Sequence, residues 1–186
     1  MEYTAKLFDG LEAAKVEWTR LLGLSAANTV FLTPEWQRIW WGHFGGSYRL
    51  LILSLHDTDG LLGLAPLAVQ DGTVRFLGRT DLFDYHDFIV LEGRERQFYE
   101  ALIDYVEREH EFLTPTEAQV RLHGESQEPI PNQTGKTPCL LSFDDGFQSN
   151  YGVGRDVLAP RGIEAVFFVC PGILGLPETE REAAIA

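Results

Sequence analysis

The strongest constraint on what this chain can fold into lies late in it, where the apolar run Cys139-Leu140-Leu141-Ser142-Phe143 ends in Asp144-Asp145-Gly146. A helix is expected after Phe147, then the turn Pro160-Arg161-Gly162 and a second apolar run over residues 163–169. Strand, helix, strand is the order of an α/β unit, and in such folds the loops beyond the carboxyl ends of strands carry the chemistry. Two adjacent carboxylates at such an end repel and point differently. One can hold a divalent cation through oxygen while the other, tuned by that cation and by its neighbour, takes a proton from water. A simpler account also covers the dipeptide, with Asp144 or Asp145 capping the next segment and Gly146 supplying a positive φ.

The match extends well past the dipeptide. Ser142-Phe143-Asp144-Asp145-Gly146-Phe147 is followed by Asn150-Tyr151, Val157-Leu158, the run 162–169 and Gly172-Ile173-Leu174. On these residues the C-terminal half resembles the polysaccharide deacetylase (NodB homology) family, with Val166 where that family usually has threonine. The resemblance implies a distorted β/α barrel and metal-dependent hydrolysis of N-acetyl or O-acetyl groups on a carbohydrate. It makes Asp144 the general base and Asp145 a ligand to a divalent metal, zinc being the expected ion. The family completes its metal site with a His-x-x-x-His motif. Here the histidines are His43, His56, His86, His110 and His123, no two of them four apart. A zinc site takes about three protein ligands plus water, so Asp145 alone is expected to hold a cation weakly and the chain to be inactive as it stands. The stretch after Asp145 is also far shorter than the ~250 residues of a closed β/α barrel. A fragment of a longer enzyme is the favoured account, ahead of a degenerate domain or a site completed by another chain.

The first half reads differently. Thr33-Pro34-Glu35 supplies an N-cap and an N1 proline for a helix in which Trp36, Trp40 and Phe44, spaced by four, share a face. That stripe is expected to dock on a sheet, a sugar-stacking platform being the sharper alternative. Residues 48–55, 61–69 and 74–77 read as strands joined at Asp57-Thr58-Asp59-Gly60 and Asp71-Gly72, whose chemistry suits hairpin turns and hence an antiparallel sheet. Asp84-Tyr85-His86-Asp87 then forms a polar cluster ahead of an apolar run, with His86 expected as a hydrogen-bonded structural histidine and Asp84 and Asp87 as turn and cap residues.

Phe31-x-Thr33-Pro34-x-Trp36, Trp40-Trp41, Gly63-x-x-Pro66-Leu67, Arg75-Phe76-Leu77-Gly78 and Asp84-Tyr85-x-Asp87 together resemble the acetyltransferase-like proteins related to FemAB and the CelD group, over roughly residues 28–110. The resemblance implies a GNAT-like antiparallel sheet with helices, and acyl transfer from coenzyme A or an aminoacyl-tRNA. A phosphate cradle needs close-set glycines after a strand and before a helix. Gly42, Gly45 and Gly46 follow a helix instead, and Gly60, Gly63, Gly72 and Gly78 sit in or beside strands. No cofactor-binding residue is therefore assigned.

The expected architecture is mixed α/β: a GNAT-like half domain over residues 1–92, then the first β/α units of an incomplete deacetylase barrel over 93–186. Residues 95–110 read as an amphipathic helix, and Thr114 with Glu117 as a capping box opening another. Residues 125–138, rich in proline, read as an exposed loop. Cys139 and Cys170, in or beside the apolar runs, are expected as buried free thiols rather than a bridge.

Composition limits the partners. With 45% apolar residues and 12% aromatics the chain of 186 can build a core. A formal charge of −13, with fifteen scattered Lys and Arg, argues against nucleic acid and against anionic membranes. A neutral carbohydrate is indifferent to that sign. No stretch reaches transmembrane length and the amino terminus lacks a basic region followed by an apolar core, so cytoplasmic residence is expected. Three functions follow: a metal-dependent polysaccharide deacetylase, incomplete in this chain; a non-catalytic module binding glycan or a partner through the aromatic helix; and a GNAT-like acyltransferase of exopolysaccharide biosynthesis.

Overall fold

The computed structural model describes residues 2–78, 86–123, 135–144 and 146–169. They build a mixed α/β structure divided into two compact units, Met1–Tyr105 and Val106–Ala186.

The first unit is organised by one antiparallel sheet. Strand β1 (Thr4–Phe8) pairs with β2 (Arg49–Asp57), β2 with β3 (Gly60–Gln70), and β3 with both β4 (Thr73–Phe76) and β5 (Ile89–Val90). The two hairpins form where turn chemistry foretold them. Asp57 Oδ1 accepts the amides of Asp59 at 2.8 Å and Gly60 at 3.2 Å, an Asx turn that reverses the chain. In the second hairpin Gln70 faces Thr73 across Asp71-Gly72, both of which have positive φ, 50° and 75°. That geometry matches the right-handed twist of the strands and favours Asp-Gly.

Residues 50–55 are apolar almost without interruption because β2 is covered on both faces. Side chains alternate across a strand. Ile52 joins Leu64, Ala68 and Ile89 in one buried cluster with Leu11, Ala14, Trp18, Leu21 and Leu22 of helix α1 (Leu11–Leu22) and Trp40 of helix α2 (Pro34–Phe44). Leu53 and Leu55 join Leu62, Ala65 and Val90 in a second cluster with Tyr3 and with Phe98 and Ala101 of helix α3 (Glu95–Glu109). Trp18 is fully buried and its indole N–H donates to the Leu32 carbonyl at 2.8 Å, so its one polar atom is satisfied. Helix α2 starts as expected, Thr33 accepting the Trp36 amide ahead of Pro34. Its aromatic stripe is only partly buried: Trp40 is 3% exposed, Trp36 36% and Phe44 46%. Side chains 36, 40 and 44 lie along one helix, but a single residue enters the core.

The second unit holds two short parallel strand pairs. Strand β6 (His110–Phe112) pairs with β7 (Thr137–Cys139), and helix α4 (Pro115–His123) lies between them in sequence. Strand β8 (Leu141–Phe143) pairs with β9 (Ala165–Phe167), with helix α5 (Gln148–Val153) between. The helix continues through a wider turn over Gly154–Leu158 and a tight one over Ala159–Arg161, and Gly162, at φ 67°, ends it. The apolar run read as one strand over 139–143 is therefore two, parted at Leu140. The Cys139 carbonyl accepts Leu113 N–H at 2.8 Å, whereas the Phe143 carbonyl accepts Phe168 N–H at 2.8 Å, so the halves of the run serve different partners. Helix α4 carries the capping box: Glu117 N–H donates to Thr114 Oγ1 at 3.2 Å and Thr114 N–H to Glu117 Oε2 at 2.8 Å. Burial is sparse here, with Leu113, Ala118, Val157 and Leu158 the buried apolar residues among those described.

Candidate functional site

Asp144 is exposed and immediately follows β8, at its carboxyl end. Its backbone is fixed although its side chain faces solvent: the Asp144 carbonyl accepts the Gly146 amide at 2.9 Å and the Asn150 Nδ2 amide at 2.9 Å. Gly146 holds φ 73°, and a Cβ there would stand 2.9 Å from Val169 Cγ1, so both conformation and space require glycine. The Phe147 carbonyl accepts the amides of Asn150 and Tyr151 and opens α5. Below the turn Phe143 and Phe167 stack at 4.9 Å between centroids, 8° from parallel. The strand is half-exposed despite its apolar sequence, and Phe147, Tyr151, Phe168 and Val169 are exposed around it.

Asp145, expected as the metal ligand, lies outside the described residues, as do Asp84, Tyr85, Cys170 and Gly172-Ile173-Leu174. Among the described residues no group of three or more His, Cys, Asp and Glu side chains converges closely enough to hold a metal ion. The described donors thus do not amount to a zinc-type set, which needs about three protein ligands.

Cys139 closes β7 as a free, half-buried thiol, and burial pushes its pKa up to about 11. It is the opposite of an activated nucleophile, which needs a nearby positive charge and a depressed pKa. Burial also holds the His86 imidazole below its ordinary value, beside the Phe76 ring at 6.3 Å. Asp87 Oδ1 accepts the Phe88 amide at 2.7 Å, a local turn role.

One polar cluster escaped the sequence. His56 Nε2 lies 2.9 Å from Ser54 Oγ and 3.6 Å from Glu17 Oε1, and Glu17 Oε2 is 3.4 Å from Lys6 Nζ. A serine, a histidine and a carboxylate suggest a nucleophilic triad. The geometry denies it: serine and glutamate meet the same ring nitrogen, whereas a triad uses one nitrogen for each, and Ser54 is wholly buried. These residues come from β1, α1 and β2, and no local spacing connects them. Asn150 had a readable signal, an Asn two residues into a helix that follows Asp-Asp-Gly, but its grip on the Asp144 carbonyl spans a turn that local pattern does not define.

Among the described residues no helix is long and apolar enough to cross a membrane. Comparison with protein-family models, with characterised proteins and with solved structures gives no match.

Proposed function

We propose that the second unit is the opening β/α segment of a carbohydrate deacetylase centre, with Asp144 as the general base. The observation that carries this reading is an exposed carboxylate at the carboxyl end of a strand in a parallel β-α-β segment, on a turn held by Gly146 and Asn150. Strand ends of this kind are where α/β folds present reacting groups. An exposed Asp144 is the group that would accept a proton from water attacking an acetyl carbonyl, provided that the water stands within hydrogen-bond reach. Asp145 would be the residue to hold a divalent cation, zinc by the family resemblance, which would polarise the acetyl carbonyl, and with no His-x-x-x-His in the sequence it would do so without imidazole partners. Turnover by this chain alone is accordingly negligible.

Calorimetric titration with Zn²⁺ tests the reading directly. The unaltered chain is expected to bind zinc weakly, and Asp145→Ala to lose that heat. Equal heats for the two proteins would remove the metal role and with it the deacetylase assignment.

A second reading draws on the first unit. Trp36 and Phe44 are a third to a half exposed beside the buried Trp40, as a platform for a sugar ring or an apolar partner requires. Quenching or enhancement of tryptophan fluorescence by neutral oligosaccharides, abolished by Trp36→Ala, would favour a binding module over an enzyme. An unchanged spectrum would exclude that use of α2.

A further inference from the structure

At the other end of the same strands the second unit has a groove of about 430 Å³. It is bounded by β6, by Lys136 just before β7, and by residues 161–164 leading into β9. Because β8 and β9 run parallel, with Leu141 opposite Ala165 and Phe143 opposite Phe167, Ile163 and Glu164 sit at the amino ends and Asp144 at the carboxyl end. Three residues of strand separate the two places by roughly 10 Å. The groove is therefore not the Asp144 turn seen from another side.

Among the described residues its lining is mixed in charge. Glu107, Glu111 and Glu164 supply carboxylates, and Lys136 and Arg161 supply cations. A phosphorylated ligand would meet three like charges. A bare divalent cation would meet two, and no group of three ligating side chains among the described residues is close enough to hold it. A ligand without charge that carries donors and acceptors together suits both sets, since carboxylates only accept and ammonium and guanidinium groups only donate. Hydroxyl groups do both. Phe112 and Ile163 add apolar lining for the C–H face of a ring.

One contact holds part of the lining in place before any ligand arrives. Lys136 Nζ donates to the Glu107 carbonyl, which ties the start of β7 to the end of α3. His110 also lines the groove, and its Nδ1 is buried without a hydrogen-bond partner. We propose that this groove binds an uncharged saccharide through its hydroxyl groups, at a site separate from Asp144. The inference stands whether or not the deacetylase reading does.

Amide correlation spectra of the whole chain, titrated with neutral tetrasaccharides of glucose and of N-acetylglucosamine, test it. Shifts are expected at Glu111, Lys136, Gly162 and Ile163. Arg161 and Glu164 are exposed, and the same spectra verify that the fold survives their replacement. Arg161→Ala and Glu164→Gln are each expected to weaken the apparent Kd by about five-fold or more. Binding of an uncharged ligand should also be insensitive to salt, which screens only charge–charge attraction. Absence of shifts at about 10 mM sugar overturns the proposal. So do shifts confined to the Asp144 turn or to α2, the first of which would leave the deacetylase reading standing while removing the groove.

Discussion

At Gly63 a hydrogen atom is all that the fold admits. A Cβ there would lie 2.5 Å from Phe98 Cδ2 and 2.9 Å from the Ile89 carbonyl oxygen, and Phe98 is fully buried, so its ring has nowhere to go. Overpacking of a filled core costs typically 1–3 kcal/mol. Gly63→Ala is expected to cost about 3 kcal/mol, read as a lower urea midpoint, and Phe98→Leu in the same chain should recover part of the loss. A midpoint equal to that of the unaltered protein would contradict the packing. Cys139 gives a kinetic test at the same scale. Its thiol, raised from 9.0 to about 11 by burial, forms about a hundred-fold less thiolate at pH 8 than an ordinary thiol. A more basic thiolate is also more nucleophilic, with a Brønsted slope of about 0.4–0.5, and recovers about ten-fold. In a Cys170→Ser background, reaction of Cys139 with an aromatic disulfide reagent should be about ten-fold slower in the native chain than in urea. Equal rates would show a thiol in ordinary surroundings.

Elements follow from local chemistry where the partner is near in sequence. The capping box of α4 is such a case. Hydrogen bonds from the Thr114 amide and hydroxyl hold Glu117 below its ordinary pKa, so the folded state binds the proton less readily than the unfolded one. A depressed carboxylate stabilises above its unfolded value and loses that contribution as pH falls through the folded value. Residual helicity of α4 should therefore decline on acidification below about pH 4.5, and Thr114→Ala should flatten that decline. Loss of the Thr114 N-cap at neutral pH is expected to destabilise the helix by about 1 kcal/mol. Amide exchange rates over residues 116–123 measure both.

The same distinction explains which elements the sequence discloses. The Asp-Gly turns, the Thr33-Pro34 helix start, α3 and the Thr114-Glu117 box are all short-range, and each formed where its residues indicated. Strand β1 was not legible: Thr4 pairs with His56 and Phe8 with Ile52, and nothing within five residues announces a partner fifty positions away. The break at Leu140 was hidden for a related reason, since it depends on Leu113 and Phe168 drawing the two halves of one apolar run to different neighbours. For the candidate site, Asp144 and Gly146 were readable as a strand-end turn, whereas the convergence of Ser54, His56 and Glu17 and the groove beside β6 arise only when distant segments meet.

Across the whole molecule, burial is unevenly shared. Every member of the two buried clusters lies between Leu11 and Ala101 or is Tyr3, all within the first unit. The second unit contributes four buried apolar side chains among its described residues, and leaves Phe147, Tyr151, Phe168 and Val169 exposed. Stability scales with the apolar area removed from water, and conformational entropy must be met residue by residue wherever the chain is ordered. The first unit should accordingly unfold at a higher temperature than the second. All four tryptophans, at positions 18, 36, 40 and 41, belong to the first unit, so tryptophan fluorescence follows it alone while far-ultraviolet dichroism follows both. Coincident transitions are the signature of a two-state chain. Here the dichroism should begin to fall first, with the fluorescence midpoint several degrees higher. A chain ending at Glu109 should keep the fluorescence transition, and a chain of residues 106–186 should melt without a sharp one. Superimposable curves from the two probes, or a cooperative transition in residues 106–186 alone, would show that the second unit has a core of its own.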